Sequence, residues 1–124
     1  MKQELNEISI NGVSYVRADS LERQPTLDPA NACIVRCKSA GCFFGYPSIQ
    51  NLSKGVITLR QARRLWYWDG AASLSELAVS GTSKPQNCKF PIAVPEINLT
   101  EVIEVIPCTL VAVQSLNSVS IWKA

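Results

Sequence analysis

The residues of this chain with the most useful chemistry for holding a ligand are concentrated between positions 60 and 91. Three arginines, two tryptophans and a tyrosine stand directly before the small-residue start of a short predicted helix. Arginines bind phosphate oxygens, aromatic faces stack on bases, and the first N–H groups of a helix lack partners inside the helix. This combination predicts a site for phosphate groups attached to bases.

Catalytic groups are scarce by comparison. The sequence contains no histidine, which excludes a histidine general base, a Ser-His or Cys-His nucleophile pair and a histidine-ligated metal. The ten carboxylates offer no supported catalytic pair, because those with a close neighbour, such as Glu101 and Glu104, fall in predicted solvated edges or helix starts. We therefore expect a binding protein with no catalytic residue, no metal and no cofactor, rather than an enzyme.

Length and composition limit both the architecture and the partner. The 124 residues predict a single domain, 1–124, with a β-hairpin over 1–17, a loop or arm over 18–31 and a core over 32–124. A hydrophobic share of 47% beside 18% charged residues indicates apolar surface buried between subunits, so we expect a homo-oligomer. The net charge of +2 is too small for a protein that follows a nucleic-acid backbone. A small anionic ligand fits better than polymeric nucleic acid.

Neither an export signal nor a membrane span is predicted. The polar, partly acidic beginning lacks the basic region and apolar stretch of a signal peptide. The longest apolar run, from Val102 to Val113, is interrupted by Glu104 and Pro107 and falls short of the roughly 20 residues that span a bilayer. We expect a cytoplasmic protein without a membrane partner.

The cysteines are predicted to be reduced thiols. Their number, five, is odd, and a chain without an export signal is not expected to carry a disulfide framework. Cys33 and Cys37 resemble a pair of metal ligands, but a strand would separate them by roughly 13 Å, too far for one ion or a disulfide. We interpret the cysteines as small buried hydrophobic residues.

Alternating apolar residues and turn residues predict short strands and two short helices. Strands are predicted over 33–38, 42–46, 56–68, 90–98, 102–106 and 119–122, and helices over 74–79 and 110–116. Asn11-Gly12 predicts the N-terminal hairpin, and 51–55 predicts a turn. The 59–65 segment also contains enough helix formers to leave a helix open, although its β-branched and aromatic neighbours favour a strand.

The helix ends carry specific signals. Ser73 followed by Glu76 forms a capping box, Gly81 ends the first helix, and Thr109 caps the second. Together with the strands, these predict an α+β fold: an antiparallel sheet or partial β-barrel with two short helices, assembled into a symmetric homo-oligomer.

Several candidate site residues have a structural and a functional interpretation. On a strand, Trp66 and Trp68 would share one face, where they either stack on a ligand or fill the core. Arg63 and Arg64 would point to opposite faces, so at most one reaches a given phosphate. Arg36 lies mid-strand among apolar residues and needs an anionic partner, which is Asp69, a glutamate or a ligand phosphate.

The predicted site combines cations, main-chain donors and flat side chains. We expect arginines to hold phosphates, the 39–41 turn and the 71–73 helix start to supply N–H donors, and tryptophans or Phe90 to stack on bases; at the helix start, simple capping is the alternative. The candidate ligand-binding residues are Arg36, Ser39, Ala40, Gly41, Arg63, Arg64, Trp66, Trp68, Ala71, Ala72, Ser73, Asn87 and Phe90.

Three motifs carry a resemblance to known proteins. They are Ile34-Val35-Arg36 followed by Ser39-Ala40-Gly41, the stretch from Ala62 to Ser75, and the NCKFP loop from Asn87 to Pro91. With these motifs the chain resembles, from Cys33 to Trp122, a family of small phage and prophage proteins similar to Thoeris anti-defence protein 1, which sequester nucleotide immune signals.

The resemblance implies a homo-hexamer that binds glycocyclic ADP-ribose isomers between subunits and, in some members, cyclic trinucleotides near three-fold axes, without cleaving either. It also implies arginines on the phosphates and an aromatic side chain on the adenine. No arginine follows Arg64, so a phosphate contact from the C-terminal part would need Lys84, Lys89 or main-chain N–H groups.

Two other functions stay open. A phosphodiesterase or lyase acting on the same nucleotides would need Tyr46, Tyr67 or a lysine as its proton carrier. An inhibitor that binds a host protein would use exposed apolar surface instead.

Overall fold

A five-stranded antiparallel sheet forms the centre of the protein in a computed structural model that describes residues 27–123. Its strands are β1 (Cys33–Cys37), β2 (Gly41–Asn51), β3 (Val56–Arg64), β4 (Val94–Leu99) and β5 (Val102–Pro107). The order across the sheet is β4-β3-β2-β1-β5, and each neighbouring pair is antiparallel. With the helices α1 (Leu74–Ser80) and α2 (Leu110–Ser118), this arrangement confirms the predicted α+β fold with an antiparallel sheet, which is open rather than closed.

The sheet is curled, so that its two edges approach each other at one end. Strands β4 and β5 follow each other in the chain across only Thr100 and Glu101, yet they lie at opposite edges. Such a connection reaches roughly 11 Å at most. The linking segment is fixed by main-chain hydrogen bonds from Lys38 N to Glu101 O (2.9 Å) and from Val102 N to Gly55 O (3.0 Å).

Each face of the sheet has its own apolar core. On β1, Ile34 points toward the helices while Val35 points into the curl, as the alternation of a strand requires. The helix-side core also contains Phe44, Leu77 and Leu116. Because both faces are covered, the sheet can position groups on either side of the molecule.

The capping residues Ser73, Gly81 and Thr109 lie at the helix ends where the sequence predicts them. The Ser73 hydroxyl accepts from Glu76 N at 3.2 Å, and α1 is followed by Gly81 with φ of 74°. The Thr109 hydroxyl accepts from Ala112 N at 3.1 Å at the start of α2. A capping oxygen satisfies a helix N–H that has no partner within the helix.

Four of the five cysteines are buried, as predicted, and Cys42 is half-buried. Burial raises the pKa of Cys33 to about 12 and that of Cys108 to about 11. These two thiols therefore stay protonated at neutral pH and act as small apolar side chains.

Four predicted strand boundaries are wrong. The strand expected over 42–46 continues to Asn51. The strand expected to reach Trp68 ends at Arg64, and beyond it only Tyr67 pairs, in an isolated bridge with Lys89. The strand expected from Phe90 begins at Val94, since the chain leaves the sheet around Pro91 and its missing N–H. The predicted 119–122 strand is reduced to a single bridge, between Phe90 and Ile121.

The predicted hairpin over 1–17 and residues 18–26 of the predicted arm lie outside the described residues, so the single-domain organisation of the whole chain stays a prediction. Within 27–123, neither helix has the length and apolar character needed to cross a membrane.

Candidate functional site

Arg63 is enclosed by main-chain carbonyl groups. Arg63 is only 6% exposed. Burial lowers the pKa of its guanidinium, which nevertheless remains protonated at neutral pH. It donates to five carbonyl oxygens, those of Phe90 (2.8 Å), Val119 (2.9 Å), Leu116 (3.1 Å), Pro91 (3.3 Å) and Ser120 (3.4 Å). We call this arrangement the Arg63 cage. The cage joins the end of α2 to the segment before β4. Because its N–H groups already donate to these carbonyls, the buried Arg63 is poorly placed to hold a phosphate.

Arg64 lies on the other face of the sheet from Arg63, as predicted for neighbouring strand residues. Arg64 contacts Phe43 of the core inside the curl, whereas Arg63 contacts Phe90 of the helix-side core. The Arg64 guanidinium carbon is 4.4 Å from the centroid of the Phe43 ring, and Nη1 donates to Ala40 O at 2.7 Å. The structure thus brings Arg64 to the 39–41 turn, but a carbonyl of that turn faces the arginine. Arg64 also lines a small cleft of about 220 Å³ with Ile97 and other apolar side chains.

Arg36 has the glutamate partner that the sequence left open as one possibility. It lies opposite Glu104 on the neighbouring strand, and its Nε is 2.8 Å from Glu104 Oε1. The mid-strand position of Arg36 does not bury it, because its side chain is about half exposed, at 49%. A phosphate at this position would have to compete with the Glu104 carboxylate.

The start of α1 is occupied by the protein itself. Ala72 N donates to Glu76 Oε1 at 2.6 Å, next to the Ser73 cap. In a regular capping box this glutamate returns to the N–H of the capping residue; here it reaches one residue further back. A carboxylate therefore lies where the 71–73 donors were expected to receive an anion.

The predicted stacking residues separate in the structure. Trp66 is 65% exposed, whereas Trp68 packs against the helix-side core. The prediction that both tryptophans share one strand face is wrong, because the strand ends before them. Phe90 is fully buried, with the Arg63 guanidinium 5.4 Å from its ring centroid, so a base cannot stack on it.

A different cleft, of about 490 Å³, has the combination of groups that the sequence led us to expect elsewhere. Its lining residues are Tyr67, Asp69, Gln86, Asn87, Cys88, Lys89 and Trp122; we call it the aromatic cleft. The Lys89 Nζ lies 5.8 Å from the centroid of the Tyr67 ring and 5.6 Å from that of Trp122. One flexible cation and two partly exposed flat rings thus share one opening.

Short main-chain contacts position these side chains. Tyr67 and Lys89 exchange two hydrogen bonds, Tyr67 N to Lys89 O (3.4 Å) and Lys89 N to Tyr67 O (2.8 Å). Trp122 N donates to Phe90 O at 3.0 Å, and that same carbonyl also accepts from Arg63. The Arg63 cage therefore supports the side of the cleft that carries Trp122.

A tight loop contact positions Asp69. The following residue, Gly70, has φ of 84°, and a Cβ there would lie 2.5 Å from Lys84 N and 2.7 Å from Thr82 Oγ1. Ser83 N also donates to Gly70 O at 3.2 Å. Only glycine allows this backbone conformation and this close approach together.

Asp69 is held ionised by hydrogen bonds. Asn87 Nδ2 donates to one carboxylate oxygen at 2.9 Å and Gly70 N donates to the other at 2.8 Å. The pKa of Asp69 lies below its usual range, mainly because Asn87 donates to the carboxylate. The hydrogen bond from Gly70 N and the nearby charge of Lys84 lower it further. At neutral pH its oxygens act only as hydrogen-bond acceptors.

Sequence reasoning selected Asn87, named Lys89 only as one alternative phosphate contact, and did not select Tyr67, Asp69 or Trp122 as ligand-binding residues. Tyr67 and Asp69 stand inside the central motif and Lys89 inside the NCKFP loop, so a signal was present for these three. Trp122 had none, since its placement depends on a contact with Phe90 that is distant in sequence. Among residues 27–123, no group of three or more Cys, Asp or Glu side chains is arranged to hold a metal ion.

A family model matches most of the chain. Residues 30–116 match the family described as a domain of unknown function, DUF6948. Neither the curated proteins nor the solved structures contain a match to the chain. Because the matched segment covers well over half of the 124 residues and includes all of the aromatic cleft except Trp122, the chain belongs to the DUF6948 family.

Proposed function

We propose that this protein binds a small nucleotide in the aromatic cleft and keeps it intact. The ligand class that we propose is a cyclic or glycocyclic nucleotide used as an immune signal, such as glycocyclic ADP-ribose or a cyclic trinucleotide. In this proposal the protein is a phage or prophage anti-defence factor that sequesters the signal in the cytoplasm of an infected cell. The resemblance of its motifs to such proteins supports this choice of ligand.

The observation that carries the proposal is the position of Lys89 close to the rings of Tyr67 and Trp122. Nucleotides combine a flat base with an anionic phosphate, and this cleft offers flat faces and a flexible ammonium group side by side. Asn87 and Gln86 add amide groups at the same opening. The cleft volume, about 490 Å³, lies within the range that holds small-molecule ligands, about 300–1,000 Å³.

Retention without cleavage follows from the groups available around the ligand. The aromatic cleft is lined by Tyr67, Cys88 and Lys89 beside the Asp69 carboxylate, and the sequence contains no histidine to carry a proton. Asp69 is held in place as a hydrogen-bond acceptor by Asn87 Nδ2 and Gly70 N. A phosphodiesterase or lyase is therefore the weaker proposal.

The proposed assembly is a symmetric homo-oligomer, with a hexamer implied by the resemblance. Large apolar side chains are exposed near the cleft, including Trp66, Ile121 and Trp122. Burial of such surface stabilises an interface between subunits. A second subunit placed there would also enclose the open side of the aromatic cleft, and native mass spectrometry of the full chain measures the subunit number directly.

A protein-binding inhibitor remains the second candidate function, because of a separate apolar patch. Val79, Leu110 and Val111 are each more than half exposed. They are brought together where Thr109 Oγ1 donates to Val79 O at 2.6 Å. A host protein could use this patch without any nucleotide.

The experiment that tests the proposal is capture and release of a nucleotide panel. The full-length protein is incubated with linear, cyclic and glycocyclic nucleotides, freed of unbound ligand, and then heated to unfold it. We expect at least one cyclic or glycocyclic member to be retained at a stoichiometric level and released with unchanged mass. Altered mass at substoichiometric protein would establish an enzyme instead.

A matched pair of lysine variants locates the site. Lys89→Gln removes the ammonium from the aromatic cleft and is expected to reduce retention at least about tenfold, while Lys54→Gln removes one from an exposed turn and leaves retention unchanged. Equal loss in both variants would contradict the assignment to this cleft. No retention of any nucleotide, together with stable binding of a host protein that is lost in Leu110→Asp, would replace the proposal with the inhibitor function.

A further inference from the structure

The Asp69 carboxylate gives the aromatic cleft a means of distinguishing one base from another. It lines the cleft with Tyr67 and Trp122, and one hydrogen bond reaches each of its oxygens, from Gly70 N and from Asn87 Nδ2. An ionised carboxylate offers about four acceptor positions. Each oxygen therefore keeps capacity for one further donor, and the pair can accept two parallel N–H groups.

The bases differ in the groups they present to such a carboxylate. Guanine has two adjacent donors on its Watson–Crick edge, the N1–H and the 2-amino group. Adenine has the N1 acceptor beside its 6-amino group, so one carboxylate oxygen would face another acceptor. Placing two acceptors together leaves both without a partner, which weakens binding.

Lys89 does not oppose this preference. Its ammonium group is assigned to the phosphate in the proposed function, and it has three donors and no acceptor. Guanine O6, an acceptor, is compatible with a neighbouring ammonium, whereas the 6-amino group of adenine is a donor. Asn87 Nδ2 donates to Asp69, which orients that amide toward the carboxylate.

We propose that the aromatic cleft selects guanine nucleotides, with Asp69 accepting from N1–H and the 2-amino group while Tyr67 or Trp122 stacks on the base. This inference rests on the proposed nucleotide-binding function and narrows it to ligands that contain guanine. Within the proposed class it favours a guanine-containing cyclic nucleotide over glycocyclic ADP-ribose, whose base is adenine. It assigns Asp69 a role in specificity that neither the sequence motifs nor the family match suggests.

The first test compares bases on probes of equal size and charge. Calorimetry with the wild-type chain measures cyclic di-GMP against cyclic di-AMP, and guanosine 5′-monophosphate against adenosine 5′-monophosphate. We expect each guanine probe to bind at least about tenfold more tightly than its adenine counterpart, since a two-donor contact to a base edge discriminates by roughly that factor or more.

The second test changes the preference through one atom. Asp69→Asn replaces an acceptor by an amide donor, so it should weaken guanosine monophosphate about tenfold and strengthen xanthosine monophosphate, whose 2-carbonyl group accepts where guanine donates. The new amide can still accept from Gly70 N, and a rotated Asn87 amide can accept from it. A variant that merely distorted the cleft would weaken both probes and improve neither.

The outcomes separate this inference from the function on which it rests. Equal binding of the guanine and adenine probes would overturn guanine selection while nucleotide binding stands. Tighter binding of the adenine probes would overturn it as well. If neither the probes nor the wider panel binds, both proposals fail.

Discussion

Arg63 and Lys89 are both cations placed against aromatic rings, yet their surroundings differ in every other respect. The Arg63 guanidinium lies over the buried Phe90 ring and donates to five carbonyl oxygens. Lys89 is exposed, and its ammonium lies near the partly exposed rings of Tyr67 and Trp122. The difference teaches that a cation beside aromatic residues indicates a ligand site only where its donors are not already used by the protein.

The two regions are also mechanically connected. Phe90 O accepts from both Arg63 Nη2 and Trp122 N, so one carbonyl belongs to the Arg63 cage and helps to place a wall of the aromatic cleft. We interpret the cage as the rigid support and the cleft as the adaptable surface.

Removing the Arg63 guanidinium should have the largest effect. Arg63→Met keeps most of the apolar stem but leaves several carbonyl oxygens of the cage without donors, and hydrogen bonds to a charged group are worth about 1.5–3 kcal/mol each. Allowing for partial rearrangement, we expect the free energy of unfolding to fall by about 3–5 kcal/mol. Urea denaturation followed by tryptophan fluorescence measures the change.

The matched variant is Lys89→Met, at the other cation of the comparison. An exposed cation–π contact contributes only about 0.5–1 kcal/mol, so stability should fall by no more than about 1 kcal/mol. Equal costs for the two variants would remove the distinction between a supporting arginine and a ligand-binding lysine.

Gly70→Ala should have the next largest effect, because it acts on the loop that positions Asp69. The added Cβ would meet Lys84 N at 2.5 Å, and the residue has φ of 84°. Backbone strain of about 1–2 kcal/mol and overpacking of about 1–2 kcal/mol, at the lower end of the usual range, predict a total loss of about 2–4 kcal/mol. The same variant should lose nucleotide retention, since the loop carrying Asp69 must move.

Gly41→Ala separates strain from crowding in this test. Gly41 also has positive φ, 100°, but an added Cβ there meets nothing within 4 Å. We expect a loss of only about 1–2 kcal/mol and unchanged retention. If Gly41→Ala proved as costly as Gly70→Ala, the close packing beneath Asp69 would not be what requires a glycine.

The fold could be predicted from the sequence wherever local signals decide it. Ser73, Gly81 and Thr109 act at the helix ends as their residue types indicate, and the alternation of β1 places Ile34 and Val35 on opposite faces. The prediction that β3 continues to Trp68 was wrong. The β-propensity of residues 65–68 does not indicate that the chain leaves the sheet after Arg64, where Trp68 packs against the helix-side core.

The site was harder to predict, because its parts meet through distant contacts. Arg36, Arg63 and Arg64 were predicted to bind phosphates because arginines commonly do so. The sequence does not reveal that the main-chain carbonyls of Phe90 and Val119 accept hydrogen bonds from Arg63. The aromatic cleft depends on the Tyr67–Lys89 bridge and on the bond from Trp122 N to Phe90 O. Neither pairing has a local signature.

The smallest predicted effect is on the pKa of Asp69. This carboxylate is a titratable group of the aromatic cleft, whereas the acceptors of the Arg63 cage are main-chain carbonyls that do not titrate. The pKa of Asp69 is held low, first by the Asn87 amide, so the folded value lies below the unfolded one of about 3.9. The linked stabilisation is therefore present above about pH 4 and is lost as the pH falls through the folded pKa. Asn87→Ala should raise the pKa of Asp69 and move this loss to higher pH, as a carbon-13 NMR titration of the carboxyl group can measure. In Asn98→Ala, which removes an amide bonded to Thr58 instead, the pKa of Asp69 should not change; if it also failed to change in Asn87→Ala, the amide would not be what keeps the carboxylate ionised.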